Sequence, residues 1–221
     1  MLEATGLGFA DALSGGTAAS ALDGAVLLTA GSNQATATSA YLGSHPALTR
    51  YALGGPAAAA DPSAIAIVGV DRYDTSAKVA AAFFNGPTAM GAASGANFPD
   101  ALSGGAHAGA KRAPLVLVPP SGPLTDSVGA YLVAHAGTIA AGYLYGGPAA
   151  VGDDVLGELQ QAITATTPAT AMQPTKTGSV DALLLLLVLG SGLGVTAAAG
   201  GPQRNASRGR RRGRRPARRG R

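Results

Sequence analysis

The sequence of 221 residues has no cysteine and no tryptophan, and only 5% of its residues are aromatic. Without cysteine the chain has no disulfide framework and no thiolate metal site. Histidine is also scarce, and His107 and His135 stand alone, without the spacing of metal ligands. We therefore expect no bound metal. The sequence also lacks a glycine-rich phosphate-binding loop, so we expect no cofactor.

Acidic residues are missing after Asp181, and this divides the charge of the chain. Ten of the sixteen basic residues are arginines between Arg204 and Arg221. The body up to Asp181 contains six basic and twelve acidic residues, a net charge of −6, whereas the tail carries +10. The basic pI therefore comes from the tail alone, and the acidic body is not predicted to bind nucleic acid.

One segment occurs twice in the sequence, with a few substitutions. ATGLGFADALSGG at residues 4–16 returns as ASGANFPDALSGG at residues 93–105, an offset of 89. The match continues downstream, where VLLT at 26–29 returns as LVLV at 115–118 and GGPA at 54–57 returns as GGPA at 146–149. A period of this length predicts tandem modules, each a small α/β unit, and repeated modules are typical of binding proteins.

The second copy alternates short apolar runs with amphipathic segments, which predicts a parallel sheet with helical crossovers. Residues 65–68 are predicted to be a buried strand and residues 71–84 an amphipathic helix. This opening element has no counterpart before Ala4, so we expect the first module to be truncated. Further strands are predicted at 88–93, 115–118 and 138–145, and further helices from Pro99, Leu124 and Asp153.

The C-terminal part changes character. Residues 164–181 are rich in Thr, Ala and Pro, as in a linker, and residues 182–199 are uncharged and apolar. About 20 apolar residues span a bilayer, so 182–201 is predicted to be a transmembrane helix, with 202–221 as an arginine-rich cytoplasmic tail near anionic lipid. The alternative is a buried core helix. No signal peptide is visible at Met1.

Four segments of the second copy resemble a known family. They are DRYDT at 71–75, NFPDALS at 97–103, PLVLV at 114–118 and GGPAAV at 146–151. In this order and spacing, the chain resembles the bacterial cell-wall-binding repeat 2 modules of surface and S-layer proteins. The resemblance implies small α/β modules, usually three in tandem, that bind anionic cell-wall polymers without a covalent bond. This chain would hold a truncated repeat at 1–61 and a complete one at 62–163.

Arg72 is the first binding candidate, because a guanidinium makes bidentate contacts with phosphate and carboxylate groups. The alternative is that Arg72 pairs with Asp71, Asp74 or Asp100 and only stabilises the module. Asp100, like Asp11, is also explained as a carboxylate at a helix start. The polymer-binding candidates are Arg72, Tyr73, Asn97, Asp100, Lys111 and Arg112.

No catalytic pattern accompanies these residues. Ser14 and Ser103 follow Asp-Ala-Leu and not a GxSxG elbow, and no nucleophile–base pair is evident. We therefore predict a non-catalytic surface protein at the cell wall, anchored by its C-terminal helix, whose partner is a teichoic-acid-like or other anionic polysaccharide. The alternative is a piece of a larger cell-wall hydrolase or other surface enzyme. Exposed apolar strands such as 26–28 also predict self-association.

Overall fold

The computed structural model describes residues 1–165 and the main chain of residues 183–187. In the first repeat, short apolar runs form strands and the alanine-rich segments between them form helices. Its elements are β1 (Leu2–Thr5), α1 (Ala10–Ala21), β2 (Val26–Thr29), α2 (Thr36–Ser44), β3 (Tyr51–Leu53) and α3 (Gly55–Ala60), and β4 (Ile65–Ile67) follows at the start of the second repeat.

The second repeat has an additional helix at its start and then follows the same order of strands and helices. Asp71 caps its first helix by accepting a hydrogen bond from the main-chain N–H of Asp74 at 2.8 Å, which satisfies one of the free donors at a helix start. Its elements are α4 (Arg72–Phe83), β5 (Ala89–Ser94), α5 (Pro99–Ala110), β6 (Leu115–Val118), α6 (Asp126–His135), β7 (Ala141–Tyr145), α7 (Asp153–Thr164) and β8 (Leu183–Leu187).

The chain forms two four-stranded sheets, and the first one takes β4 from the start of the second repeat. The strand order is β2-β1-β3-β4 in the first sheet and β6-β5-β7-β8 in the second. All pairs are parallel except β7 with β8, so the predicted α/β fold with parallel sheets is confirmed. In both sheets the second strand lies on one side of the first strand, and the third and fourth strands lie on its other side. Such a reversal of strand order places the carboxyl ends of β1 and β3, and of β5 and β7, where open α/β sheets bind their ligands.

Strand β4 differs from its prediction. It pairs with β3 in the first sheet, Tyr51 lying opposite Ile65, although it precedes the first helix of the second repeat. Ile65 is 54% exposed, so the prediction of a buried strand is wrong. The reason is position: β4 is the edge strand of the first sheet, and an apolar run does not reveal whether a neighbouring strand will cover it.

The predicted transmembrane helix at 182–201 is not supported by the described residues. Within 1–165 and 183–187, no helix is both long and apolar enough to cross a membrane. Residues 183–187 form β8, antiparallel to β7, so for these five residues the helix prediction is wrong. A run of five leucines has no helical or strand period, and pairing with β7 decides its structure. The rest of 182–201, the linker from 166 and the arginine tail lie outside the described residues.

Helix α4 belongs to two hydrophobic cores. Its Val79, together with Phe84 just after the helix, packs with Leu2 of β1 and with Leu53 of β3 in the core of the first sheet. The opposite side of the helix packs with α6 and with β6 of the second sheet. On the other face of the second sheet, α5 and Leu13 of α1 complete a third cluster. The two repeats are therefore joined by shared hydrophobic cores as well as by the chain that connects them.

Candidate functional site

The duplicated turns meet at the seam between the two repeats. Each turn connects the first strand of a sheet to the helix that follows, from β1 to α1 and from β5 to α5. Helices α1 and α5 pack together, and the rings of Phe9 and Phe98, which occupy equivalent positions, lie 5.7 Å apart. The segment that the sequence repeats therefore forms one continuous surface in the folded chain.

Within each repeat, the aspartate of the turn lies against a glycine from the third strand's end. Asp11 contacts Gly54, and Asp100 contacts Gly146. Both glycines have positive φ, +81° and +107°. A Cβ on Gly146 would lie 2.7 Å from Oδ2 of Asp100, and one on Gly54 would overlap the Asp11 carboxylate. The position of the aspartate leaves no room for a side chain at the glycine, which supports a structural role for Asp100.

Arg72 is placed by the first turn of α4 and reaches across the seam. Its Nη1 donates to the carbonyl oxygen of Gly95 at 2.5 Å, and its guanidinium lies 5.5 Å from the centre of the Phe9 ring. The described part of the chain contains two salt bridges, Arg50–Asp61 and Lys78–Asp74, and Arg72 is in neither. Arg72 thus holds the repeats together through a carbonyl and an aromatic ring, not through the acidic partners predicted for it.

A crevice of about 310 Å³ opens beside Arg72 at the carboxyl edge of the first sheet. Its walls come from the β1–α1 turn, the glycines after β3, and the start of α4. Burial raises the pKa of the Asp11 carboxyl, and the charge of Arg72 partly opposes this. The lining residues that carry charge are Asp11, Asp71 and Arg72.

The other predicted binding residues fall into two groups. Tyr73 is half-buried against the second repeat, while Asn97 and Asp100 lie in the same turn region that Arg72 contacts. Lys111 and Arg112 are exposed at the opposite end of α5. A 12-residue helix is about 18 Å long. The structure therefore brings four of the six candidates to one end of the molecule and separates the two basic residues from them.

A second polar site, which the sequence reasoning missed, lies on the far face of the first sheet. Glu3 is fully buried there, and its carboxylate accepts a hydrogen bond from the side-chain amide of Gln34. Asp61 is within hydrogen-bonding distance of Glu3 and lies 2.9 Å from Nη1 of Arg50. The signal was available: in the second repeat, the residue equivalent to Glu3 is the core residue Ala92.

The two carboxyl groups of this polar cluster have pKa values shifted in opposite directions. Burial raises the pKa of Glu3, and the neighbouring Asp61 adds to the increase. Burial also acts to raise the pKa of Asp61, but hydrogen bonds from Ser63 and Glu3, with the charge of Arg50, lower it overall. Oε1 of Glu3 has no hydrogen-bond partner among the described residues, and Oδ2 of Asp61 has none besides its ion pair with Nη1 of Arg50. A proton on Glu3 that is donated to Asp61 would give Oε1 of Glu3 a partner.

The two repeats also match a protein family one by one. The model of cell wall binding domain 2 matches residues 2–63 and again residues 66–156. The chain belongs to this cell wall binding family. Each match contains one copy of the duplicated turn, so the family's unit is the repeat recognised in the sequence. No curated protein sequence matches the chain.

Solved structures share the fold. The chain is similar to Cwp6 from Clostridium difficile, with a TM-score of 0.60 and 19% identity, and to Cwp8 from the same organism, with 0.57 and 20%. Each likeness covers 73% of this chain. It covers only 27% of the first protein and 29% of the second, so this chain spans less than a third of their length. At this identity the likeness establishes the fold alone.

Proposed function

We infer that this chain is a non-catalytic module that holds a surface protein on the cell wall by binding an anionic wall polymer. The observation that carries this is the family match over both repeats. Membership of a cell wall binding family supports a place at the wall. The class of polymer and the non-covalent, non-enzymatic mode of attachment are the proposal.

The crevice beside Arg72 supports polymer binding. One N–H of the guanidinium bonds to Gly95, and the described residues provide no hydrogen-bond partner for the other donors. The side chain is exposed, so these donors face the crevice and the solvent. A guanidinium in this position would contact a phosphate or carboxylate of the polymer, while Asp11 and Asp71 would accept from sugar hydroxyls.

The charge of the body limits where contact takes place. A body of net charge −6 gains nothing from long-range attraction to a polyanion, so binding would depend on local groups. Arg72, Tyr73, Asn97 and Asp100 would form one such contact at the seam. Lys111 and Arg112 would touch a different stretch of an extended polymer.

Co-sedimentation with purified walls tests the proposal. The ten arginines between Arg204 and Arg221 would bind any polyanion, so they are replaced by glutamine in all samples. We expect the chain to sediment with intact walls and to remain in solution with walls stripped of anionic glycopolymer. Equal sedimentation with both preparations would refute polymer binding.

The Arg72 contact is tested in the same assay. Arg72→Gln should weaken binding about tenfold, the value of one charge-assisted hydrogen bond. Lys78→Gln is the matched control, because Lys78 lies on the same helix and is already paired with Asp74 at 2.9 Å. If both substitutions weaken binding equally, the loss reflects net charge and not the crevice.

Membrane attachment through 182–201 stays a prediction. Its first described residues, 183–187, form a strand of the second sheet, and the remaining residues lie outside the described part. The attachment proposed here therefore depends on the two repeats alone.

A further inference from the structure

The connection after the third strand is shorter in the first repeat than in the second. GGPAAAAD at 54–61 corresponds to GGPAAVGD at 146–153, so Asp61 is equivalent to Asp153. Asp153 begins the 12-residue helix α7, whereas Asp61 directly follows α3 and β4 begins soon after it. Within the described part of the chain, the first repeat therefore has no counterpart of α7.

The missing helix leaves a depression on the first sheet. In the second repeat, α7 packs with α6, and its Leu159 belongs to one core cluster with Leu132 and Ala92. The equivalents of Leu132 and Ala92 in the first repeat are Leu42 and Glu3. Leu42 lines a depression of about 350 Å³ beside α2. The residues that form its walls include Gln34, Ser39, Leu42, Pro46, Arg50 and Asp61.

The floor of this depression is polar where the second repeat is apolar. Gln34 and Asp61 line it, and both are within hydrogen-bonding distance of Glu3, which is fully buried behind them. Asp61 is 6% exposed and forms its ion pair with Arg50 at 2.9 Å. Among the described residues Glu3 belongs to no salt bridge. A buried carboxyl without a cation of its own therefore lies next to an open, polar depression.

The unmatched atoms of this cluster are all hydrogen-bond acceptors. Oε1 of Glu3 and Oε1 of Gln34 are buried and have no partner in the described part of the chain. Oδ2 of Asp61 has only its ion pair with Arg50. A buried polar atom costs free energy unless it is paired. The group that completes the cluster must therefore be a donor, and a cationic donor would also balance two carboxyl groups that share one guanidinium.

We propose that this depression binds a small ligand through a primary ammonium group, which bonds to the oxygens of Glu3 and Gln34. An ammonium has three N–H donors and no acceptor, so it matches a cluster that lacks only donors. A volume of about 350 Å³ is within the range of small-molecule sites and exceeds what an amine alone needs. The rest of the ligand, an amino sugar or an aminoacyl ester, would lie against Leu42 and Pro46. The site is separate from the crevice beside Arg72, so its failure would leave the proposed function unchanged.

Glucosamine, N-acetylglucosamine and glucose are matched probes, because they differ only in the substituent at one ring carbon. By isothermal titration of the full chain at pH 7, we expect glucosamine to bind about ten times more tightly than either neutral sugar. Its binding should shift the NMR signals of the Gln34 side-chain amide and the Gly43 main-chain amide, which line the depression. The signal of Gly8, in the crevice beside Arg72, should not move.

Alanine methyl ester, which carries an ammonium without a sugar, separates the two sources of the amine. Tighter binding of glucosamine would identify an amino sugar, and tighter binding of the ester an aminoacyl group; both support an ammonium site. Glu3→Gln removes the charge but keeps the hydrogen-bonding groups, so the variant should fold and bind either amine about ten times more weakly. Asp23→Asn makes the same change of charge at an exposed position and should leave binding unchanged.

Three results would overturn the proposal. One is binding of both amines no tighter than that of glucose, including no binding of any probe. Another is an equal loss of amine binding in Glu3→Gln and Asp23→Asn, which would reflect the net charge of the chain and not the depression. The third is a rise in Tm with K⁺ or Mg²⁺ that matches the rise with glucosamine and disappears in Glu3→Gln, which would make an inorganic cation the occupant.

Discussion

At the scale of single residues, the repeated aspartate and glycine act as a pair. Asp11 with Gly54, and Asp100 with Gly146, join the start of a helix to the end of a neighbouring strand. The glycine is required for two separate reasons, a positive φ and the closeness of the carboxylate. The sequence showed that these residues recur, but their contact depends on strands that are neighbours only in the sheet.

Replacing Gly54 by alanine should therefore cost more than the backbone strain alone. Gly122 is the control, because it has φ +83° and nothing within 4 Å of an added Cβ. We expect Gly122→Ala to cost about 1 kcal/mol and Gly54→Ala clearly more, as measured by urea unfolding. Adding Asp11→Ala to Gly54→Ala should recover the difference. Equal costs at the two glycines would contradict the pairing.

The buried carboxyl of Glu3 makes the stability of the folded chain depend on pH. Because its pKa is raised in the fold, its ionisation destabilises the folded state as pH rises above about 4.5. Glu3→Gln keeps an acceptor for Gln34 and gives Asp61 a donor at every pH. We expect the variant to be more stable than the natural chain by about 1 kcal/mol at pH 7, and the gain to shrink toward pH 4.

Thermal unfolding across this pH range measures the difference. Asp23→Asn serves as the control, because Asp23 is exposed and its φ of 48° suits asparagine. A Glu3→Gln variant whose gain is the same at pH 4 and pH 7 would show that Glu3 does not titrate in this window.

At the scale of elements, helices with a clear apolar stripe were predicted correctly, whereas the edge strands β4 and β8 were not. The predicted apolar face of α7, Val155, Leu156, Leu159 and Ile163, is entirely buried. Residues 71–84 were predicted as a helix, and α4 forms there with Asp71 as its cap. By contrast, β4 was predicted to be buried and β8 to be helical. Their sequences are short apolar runs, which carry no period and leave the neighbouring strand to decide.

Loss of the N-cap side chain should destabilise the protein more at α4 than at α6. Asp71 accepts from the N–H of Asp74, whereas Thr125 at the start of α6 makes no side-chain capping bond. Asp71→Ala should reduce the free energy of unfolding by about 1 kcal/mol, and Thr125→Ala by much less. Chemical denaturation of both variants would show the contrast. A larger loss for Thr125→Ala would mean that cap geometry does not limit stability here.

At the scale of the whole molecule, α4 and α1 make the two repeats one cooperative structure. Val79 belongs to the core of the first sheet, while Ala77 and Ala80 of the same helix belong to the core of the second. Leu13 of α1 lies in the other core of the second sheet. Loss of either repeat would therefore expose apolar surface on the other, so the repeats are not expected to unfold separately.

Core substitutions in either sheet should accordingly destabilise both. Val79→Ala lies in the first sheet's core and Leu132→Ala in the second's, and we expect losses of about 1–2 and 3 kcal/mol. Within each variant, hydrogen exchange of the protected amides in β1 should accelerate by the same factor as exchange of those in β7. Acceleration confined to one sheet would show that the repeats open independently.

The repeat, the α/β class, most of the helices and the family could be predicted from the sequence alone. These properties follow from local patterns: an offset of 89, the period of an apolar stripe, and short motifs in fixed order. Which residues are in contact depends on the folded structure. It put Arg72 on Gly95 and Phe9, buried Glu3 where the second repeat has Ala92, and left Leu28 exposed where Leu117 is covered. Contacts between segments distant in the chain depend on which faces other elements cover, and no local pattern contains that information.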